Sequence, residues 1–414
     1  ATFSAVSGEG YFCNTSGGAF TLTLPSSPSA GDIVGLRDYA STFQTNNLTI
    51  GRGGSNLMGN AGDKILSTNF TSLTMVYVDG TKGWIPVEEG TGNIGETPTF
   101  ISASGGTEST CGNFKIHTFT GPGTFTVSSV GNPLGSSEVD YLAVAGGGGG
   151  GGYAGSGGGA GGFRLSNATC MPAPLTSPLA NPTGITVTAT AFPITVGGGG
   201  AAGQGNPGGP SNNGASGSNS VFSTITSAGG GGGRSFNSLG VAGGSGSGGR
   251  GGSSPGCLVN AGGAGNTPPV SPSQGNTGGG GYDGQVVNTN GGGGGGAGAV
   301  GSNSASAVGG AGGTGSYVLG TGFAGCNGTP GPVGSTRYFA GGGAGGACAQ
   351  PSPSSGGAGG GGSGGGSAGS PTIYGTSGGC NTGGGGGGNG NAQPPTSPAG
   401  AGGSGIVIIR YKFQ

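Results

Sequence analysis

Seven consecutive glycines, Gly146–Gly152, follow directly on an apolar, strand-like segment, Val139-Asp-Tyr-Leu-Ala-Val-Ala145. Glycine has no Cβ and is the costliest residue to order, so a run of it ordinarily marks a flexible linker. A linker needs no strand in front of it, and no second strand to receive it. Here Ile406-Val-Ile-Ile-Arg-Tyr-Lys-Phe413 closes the tract far downstream. Enclosure by β-sequence at both ends predicts an ordered glycine body.

Composition sharpens that expectation. The chain has 414 residues, of which 118 are glycine and 25 proline, a level that without a Gly-X-Y period usually means disorder. Disordered chains are usually rich in charge, whereas only 6% of this chain is charged and its formal net charge is −1. The 11 Lys and Arg are scattered singly, so no basic patch is available for phosphates or anionic lipid, and no nucleic-acid partner is expected. No apolar run approaches the roughly 18–20 residues that span a bilayer, so membrane insertion is not expected. No charged n-region with an apolar h-region follows Ala1, so a signal peptide is not expected in these residues.

Residues 1–88 read as a small β-sandwich module. Phe20-Thr-Leu-Thr-Leu24 alternates apolar and polar side chains, Asp32–Leu36, Leu48–Ile50 and Leu73–Val78 are further strands, and Asp79–Gly83 is a hairpin turn into Trp84-Ile85. A Gly/Thr/Pro linker occupies residues 89–98. Residues 99–145 supply the first strands of a second sandwich, at Asn113–Phe119, Gly123–Val127 and Val139–Ala145. Residues 146–404 are the glycine-rich region, with interspersed strands at 184–196 and 282–287, and 405–414 form the closing strand. The fold class expected is all-β, with no sustained 3.6-residue periodicity anywhere.

Within the glycine-rich region the runs are broken by Ser, Ala, Asn and single aromatics. Polyproline-II-type helix has three residues per turn and about 3.1 Å rise, so a seven-residue run would be roughly 20 Å long. Without side chains such helices can pack on all sides, each N–H bonding a neighbour's carbonyl. Ordering a residue costs roughly 1–2 kcal/mol, against about 0.5–1.5 kcal/mol net per hydrogen bond. A polyglycine-II lattice of this kind is therefore marginal alone and depends on the sandwich that fixes its ends. Collagen is disfavoured, because Cys170–Val196 lacks glycine at every third position.

Chemistry is sparse. His117 is the single histidine and lies in an alternating strand, which suits a structural residue better than a catalytic base. Glu88-Glu89 reads as a solvated pair. After Asp140 the only acidic residue is Asp283, so the clustered carboxylates of glycoside hydrolysis are missing from the glycine-rich region. No catalytic residue, metal ligand or cofactor is assigned, and the chain is not expected to be an enzyme. The seven cysteines contain no C-x-x-C pair and permit at most three disulfides plus one free thiol. Sequons begin at Asn14, Asn47, Asn69, Asn167 and Asn327.

Large side chains in the glycine tract come grouped: Phe163-Arg164, Arg234-Ser-Phe236, Tyr282-Asp283, Arg337-Tyr338-Phe339 and Ile373-Tyr374. Aromatics and Arg on rigidly held loops have the chemistry of a paratope. Phe163, Arg164, Arg234, Phe236, Tyr282, Asp283, Arg337, Tyr338, Phe339 and Tyr374 are accordingly candidate receptor-binding residues. The competing reading is that they cap lattice edges or anchor the lattice to the sandwich.

Two resemblances bear on function. Gly10-Tyr-Phe, Ala19-Phe-Thr-Leu-Thr-Leu-Pro25, Pro28–Asp32, Asn46–Arg52 and Tyr77-Val-Asp-Gly-Thr-Lys-Gly-Trp84 resemble a repeat of tail-fibre-like proteins of marine bacteriophages, cyanophages especially. Tyr141–Gly151, Gly158-Gly-Ala-Gly-Gly-Phe-Arg164 and Gly402–Tyr411 resemble the glycine-rich domain of phage and bacterial surface proteins. A similar domain occurs outside the membrane in the anaplastic lymphoma and leukocyte tyrosine kinase receptors. In that family a tumour-necrosis-factor-like (jelly-roll) sandwich carries polyglycine-II helices, and similar helices form the host-recognising tip of some T-even-like phage adhesins. The resemblances imply a virion tail-fibre or adhesin subunit, extracellular, binding a host outer-membrane protein or polysaccharide and other fibre subunits, as a homotrimer. No heptad repeat supports trimerisation directly. A purely structural fibre or decoration protein is the alternative. An ice-binding bundle is a poor third, since it needs strict three-residue periodicity and a flat Thr/Ala face.

Overall fold

The computed structural model describes residues 2–90, 98–133, 135–167, 177–205, 213–235, 238–250, 260–282, 289–331, 335–348, 354–366, 373–390 and 398–414. The chain divides into two units, Ala1–Thr97 and Pro98–Gln414.

In the first unit the strands are β1 (Phe3–Ser4), β2 (Glu9–Cys13), β3 (Phe20–Thr23), β4 (Ile33–Asp38), β5 (Leu48–Gly51), β6 (Lys64–Leu66), β7 (Ser72–Asp79) and β8 (Gly83–Gly90). From β1 to β5 successive strands alternate between two sheets, ordered β1-β3-β5-β6 and β2-β4-β7-β8. That alternation makes β1–β3, β3–β5 and β2–β4 parallel pairs. Leu22, Val34, Leu48, Ile50, Phe43 and Trp84 fill the space between the sheets. The hairpin expected at Asp79–Gly83 is present. The Asp79 carboxylate accepts the N–H groups of Thr81 and Lys82, and Gly83 has φ +71°, a conformation that favours glycine.

In the second unit the strands are β9 (Ser102–Ser104), β10 (Thr107–Cys111), β11 (Phe114–Phe119), β12 (Gly123–Ser129), β13 (Glu138–Val144), β14 (Phe163–Ser166), β15 (Ala180–Asn181) and β16 (Ile185–Thr186). They continue as β17 (Ala191–Thr195), β18 (Ser220–Phe222), β19 (Ile225–Ser227), β20 (Ser316–Leu319), β21 (Thr329–Pro330), β22 (Thr336–Phe339) and β23 (Ile406–Lys412). A central sheet runs β10-β11-β23-β13-β14-β15, with β16 also paired to β13. On one face it packs against the sheet β19-β18-β17-β12-β9, burying Phe125, Tyr141, Ile194, Phe222, Ile409 and Tyr411. On the other it meets the sheet β20-β22-β21, burying Leu142, Phe163, Val318, Phe323, Phe339 and Ile408. Burial on both faces is why β13 and β23 read as nearly continuous apolar runs, interrupted by Asp140 and Arg410, rather than alternating ones. The span expected as one strand region at 184–196 is divided into β16 and β17. Of the strand expected at 282–287, Tyr282 pairs with Asn290 in an isolated bridge, and 283–288 lie outside the described residues. One turn of π-helix, Gly320–Ala324, interrupts the strands.

The glycine tract is ordered and built as expected. Along Gly146–Gly151 successive N–H groups donate to Ser218, Gly403, Gly159, Ala215, Gly400 and Ser156 at 2.8–3.0 Å, so residues three apart share a neighbour. The carbonyls of Gly146–Gly151 accept in the same rotation from Gly230, Gly200, Gly386, Gly233, Gly203 and Asn389. This is the three-fold repeat of a polyglycine-II helix held by six neighbours, three antiparallel and three parallel. Segments 155–162 and 291–296 are enclosed in the same way. An enclosed glycine has a carbonyl where a Cβ would stand: 2.1 Å for Gly148 against Gly231 O, and 2.0 Å for Gly294 against Gly158 O. On the perimeter the demand falls to one face. In 213–219, Gly214 and Gly217 face the lattice, while Asn213, Ser216 and Asn219 are exposed.

The sandwich fixes one end of the lattice. β13, β17, β19 and β22 feed helices outward, and helices return into β14, β18, β20 and β23. At this junction the Ser220 hydroxyl donates to Val144 O, and Gln274 accepts the N–H of Ala228.

Candidate functional site

The end of the lattice away from these strands is where the helices reverse. Polar side chains close it, bonding backbone groups that would otherwise be left unpaired in a buried place. Arg250, 2% exposed, donates from Nε to Ala154 O at 3.0 Å. Asn290 donates to Ala305 O at 2.6 Å and accepts the Cys348 N–H at 2.8 Å. Asn389 accepts the Gly375 N–H at 2.8 Å, and Ser156 accepts the Arg234 N–H at 2.8 Å. Ala154, at φ +44°, turns the chain between the first two enclosed helices.

Three of the candidate receptor-binding residues reach this end. Arg234 is half-buried at the close of its helix, Tyr282 is half-buried beside Asn290, and Tyr374 is 43% exposed. Phe236 and Asp283 lie outside the described residues. Tyr153, half-buried between the first two helices, joins the same end.

The other five sit at the opposite end, among the strands. Phe163 and Phe339 are core residues at 1% and 0% exposure, and Tyr338 is buried at 5%. Their expected display is corrected by this burial, since each side chain fills the space beside the central sheet or its neighbour. Arg337 donates from Nε to Asn327 O at 2.8 Å and from Nη2 to the carbonyls of Cys326 and Gly328, tying one loop to β22. Arg164 lies beside Tyr141, whose phenol is raised above its ordinary pKa by burial while the Arg164 charge offsets part of that rise. Four of the five, Phe163, Arg337, Tyr338 and Phe339, are engaged in packing or in hydrogen bonds among the strands.

Arg250, Asn290 and Asn389 have no aromatic neighbour to make them stand out in the sequence. Their signal is positional: a polar residue ends or opens a glycine run, as in Gly248-Gly-Arg250, Asn290-Gly291 and Gly388-Asn389.

His117 is buried, with Nδ1 2.7 Å from Gly105 O and Nε2 3.1 Å from the Tyr411 hydroxyl. Among the described residues no cluster of three His, Cys, Asp or Glu is arranged to hold a metal ion. Also among them, no helix is long and apolar enough to cross a membrane. Cys13, Cys111, Cys326, Cys348 and Cys380 are free thiols, whereas Cys170 and Cys257 lie outside the described residues.

No curated protein matches the chain significantly. Residues 118–412 match the glycine-rich domain family, and the chain belongs to that family.

Proposed function

We propose that this member of the glycine-rich domain family is a non-enzymatic virion subunit, a tail fibre or adhesin, that recognises a host-surface receptor from the far end of its lattice. The division of side chains between the two ends supports this reading. Aromatic and Arg residues among the strands are consumed in packing, while Arg234, Tyr282 and Tyr374 stand where the helices reverse. A lattice bonded backbone to backbone, with side chains closing both ends, gives a displayed loop the firm support that recognition at low entropic cost requires. The receptor is an outer-membrane protein or a polysaccharide, the site of action is the virion exterior, and the assembly is a homotrimer.

A purely structural fibre or decoration role is the second reading. It is favoured by the small side chains of the lattice perimeter, such as Ala201, Ser216 and Ala264, which offer little for recognition and suit side-by-side packing. Adsorption distinguishes the two. Purified chain, or antibody raised against residues 150–400, should block phage attachment to host cells. Assembly into fibres with no effect on attachment would establish the structural role.

A further inference from the structure

The outer face of β2-β4-β7-β8 in the first unit holds a depression of about 330 Å³, at the lower end of the range for small-ligand sites. Its floor is made of two glycines. Gly10 and Gly35 are register partners across the parallel pair β2–β4. Neither has a positive φ. A Cβ at Gly10 would meet nothing within 4 Å, and one at Gly35 would meet only Gly10 Cα at an ordinary 3.7 Å. Packing therefore does not require glycine at either position, and glycine weakens a strand by roughly 0.5–1 kcal/mol relative to alanine. Glycine inside a strand often marks a bulge or a close approach to the backbone, and the β2–β4 register runs through Gly10 and Gly35 without a shift.

The walls have the chemistry of a ligand site. Thr74 and Glu88 extend the glycine row across β7 and β8, and Phe12 and Arg37 are partners in the next row. Phe12 is 74% exposed, although it is a large apolar side chain on a strand. Arg37 and Glu88 make no ion pair with any described residue. An open aromatic face, an unengaged guanidinium and an unengaged carboxylate thus surround a bare floor.

We propose that this depression binds a saccharide chain containing uronic acid. The apolar face of a pyranose ring lies on Phe12 and its edge rests over Gly10 and Gly35, where no Cβ intervenes. Arg37 takes the uronate carboxylate with its planar fork, and Glu88 and Thr74 accept from ring hydroxyls. Glu88 disfavours denser polyanions such as phosphate chains. The assignment does not depend on the role of the glycine-rich unit, which carries none of these residues.

Titration calorimetry of the full chain tests it, with hexamers of galacturonate and mannuronate as probes and maltohexaose as the neutral comparison. A uronate hexamer should bind saturably and more tightly than maltohexaose, with affinity falling as salt rises. Phe12→Ala should weaken binding at least tenfold, and Arg37→Met should abolish the preference for uronate. Gly35→Val should abolish binding while leaving the melting temperature unchanged or higher, which separates loss of a site from loss of fold. Absence of saturable binding by either uronate hexamer, a preference for maltohexaose, or unaltered binding in Phe12→Ala and Gly35→Val overturns the proposal. So does a change in sedimentation of these variants without a change in sugar binding, which would make the face a subunit contact.

Discussion

Arg410 donates from Nη2 to the Asp140 carboxylate at 2.8 Å, directly across the paired strands β23 and β13, with both side chains buried. The guanidinium lies 4.7 Å from the ring centroids of Phe114 and Phe323, and its Nη1 donates to Gly322 O at 3.3 Å. One cation thus joins the central sheet to the π-helical turn. Arg410→Met leaves the Asp140 charge buried and uncompensated, with an expected loss of about 3–5 kcal/mol. Arg410→Met with Asp140→Leu should recover most of that loss. Urea unfolding of the two variants measures the difference.

Within the lattice the demand for glycine differs between enclosed and outward-facing positions. Gly294→Ala would place a Cβ 2.0 Å from Gly158 O and should disrupt the surrounding helices. Gly198→Ala meets nothing within 4 Å and should be neutral or stabilising by about 0.4–1 kcal/mol. Hydrogen exchange reads the contrast: protection across 155–162, 291–296 and 341–346 should fall in the first variant and persist in the second.

Stability should have a shoulder at each end of the pH range. Burial holds the His117 imidazole below its ordinary 6.5, against the opposing pull of the Gly105 carbonyl and the Glu108 carboxylate. Because the unfolded chain takes up this proton first, the contribution is full above about 6.5 and declines as pH falls below it. Burial pushes the Tyr411 phenol up to about 12 from 10.0, so its contribution is full below about 10 and is lost as pH rises through 12. His117→Gln should flatten the acid limb and Tyr411→Phe the alkaline limb of the denaturation midpoint plotted against pH.

Thiol labelling should divide the cysteines by burial. Cys13 is buried, and burial with Asp38 nearby raises its thiol to about 11. Cys111, Cys326 and Cys380 are exposed. A maleimide at neutral pH should modify these three quickly and Cys13 only after unfolding, as peptide mass analysis would show.

The β framework was legible where runs were long. The apolar runs of β13 and β23 announced strands, and their lack of alternation corresponds to burial on both faces. Four-residue strands within the glycine tract were missed, because Phe163–Ser166 and Thr336–Phe339 are too short to show periodicity. Display and anchoring stayed open for their aromatics for the same reason, since composition cannot distinguish a loop tip from a short buried strand. The lattice was legible from glycine content, but which helices are enclosed was not. Segment 155–162 contains Ser156 and Ala160, both fully buried, and only its six neighbours reveal its central position.

A helix that bonds through backbone alone, and repeats every three residues, looks the same to its neighbours after sliding by one turn. In glycine the lattice has nothing that records position along the axis, so alignment is degenerate in steps of about 9 Å. The side chains at its two ends remove that degeneracy. Ser220 and Gln274 set the origin beside the strands, and Arg250, Asn290 and Asn389 set it at the turns. These few polar residues act as the index marks of an otherwise unmarked ruler, and their loss would leave a bundle that is still bonded but no longer in one alignment.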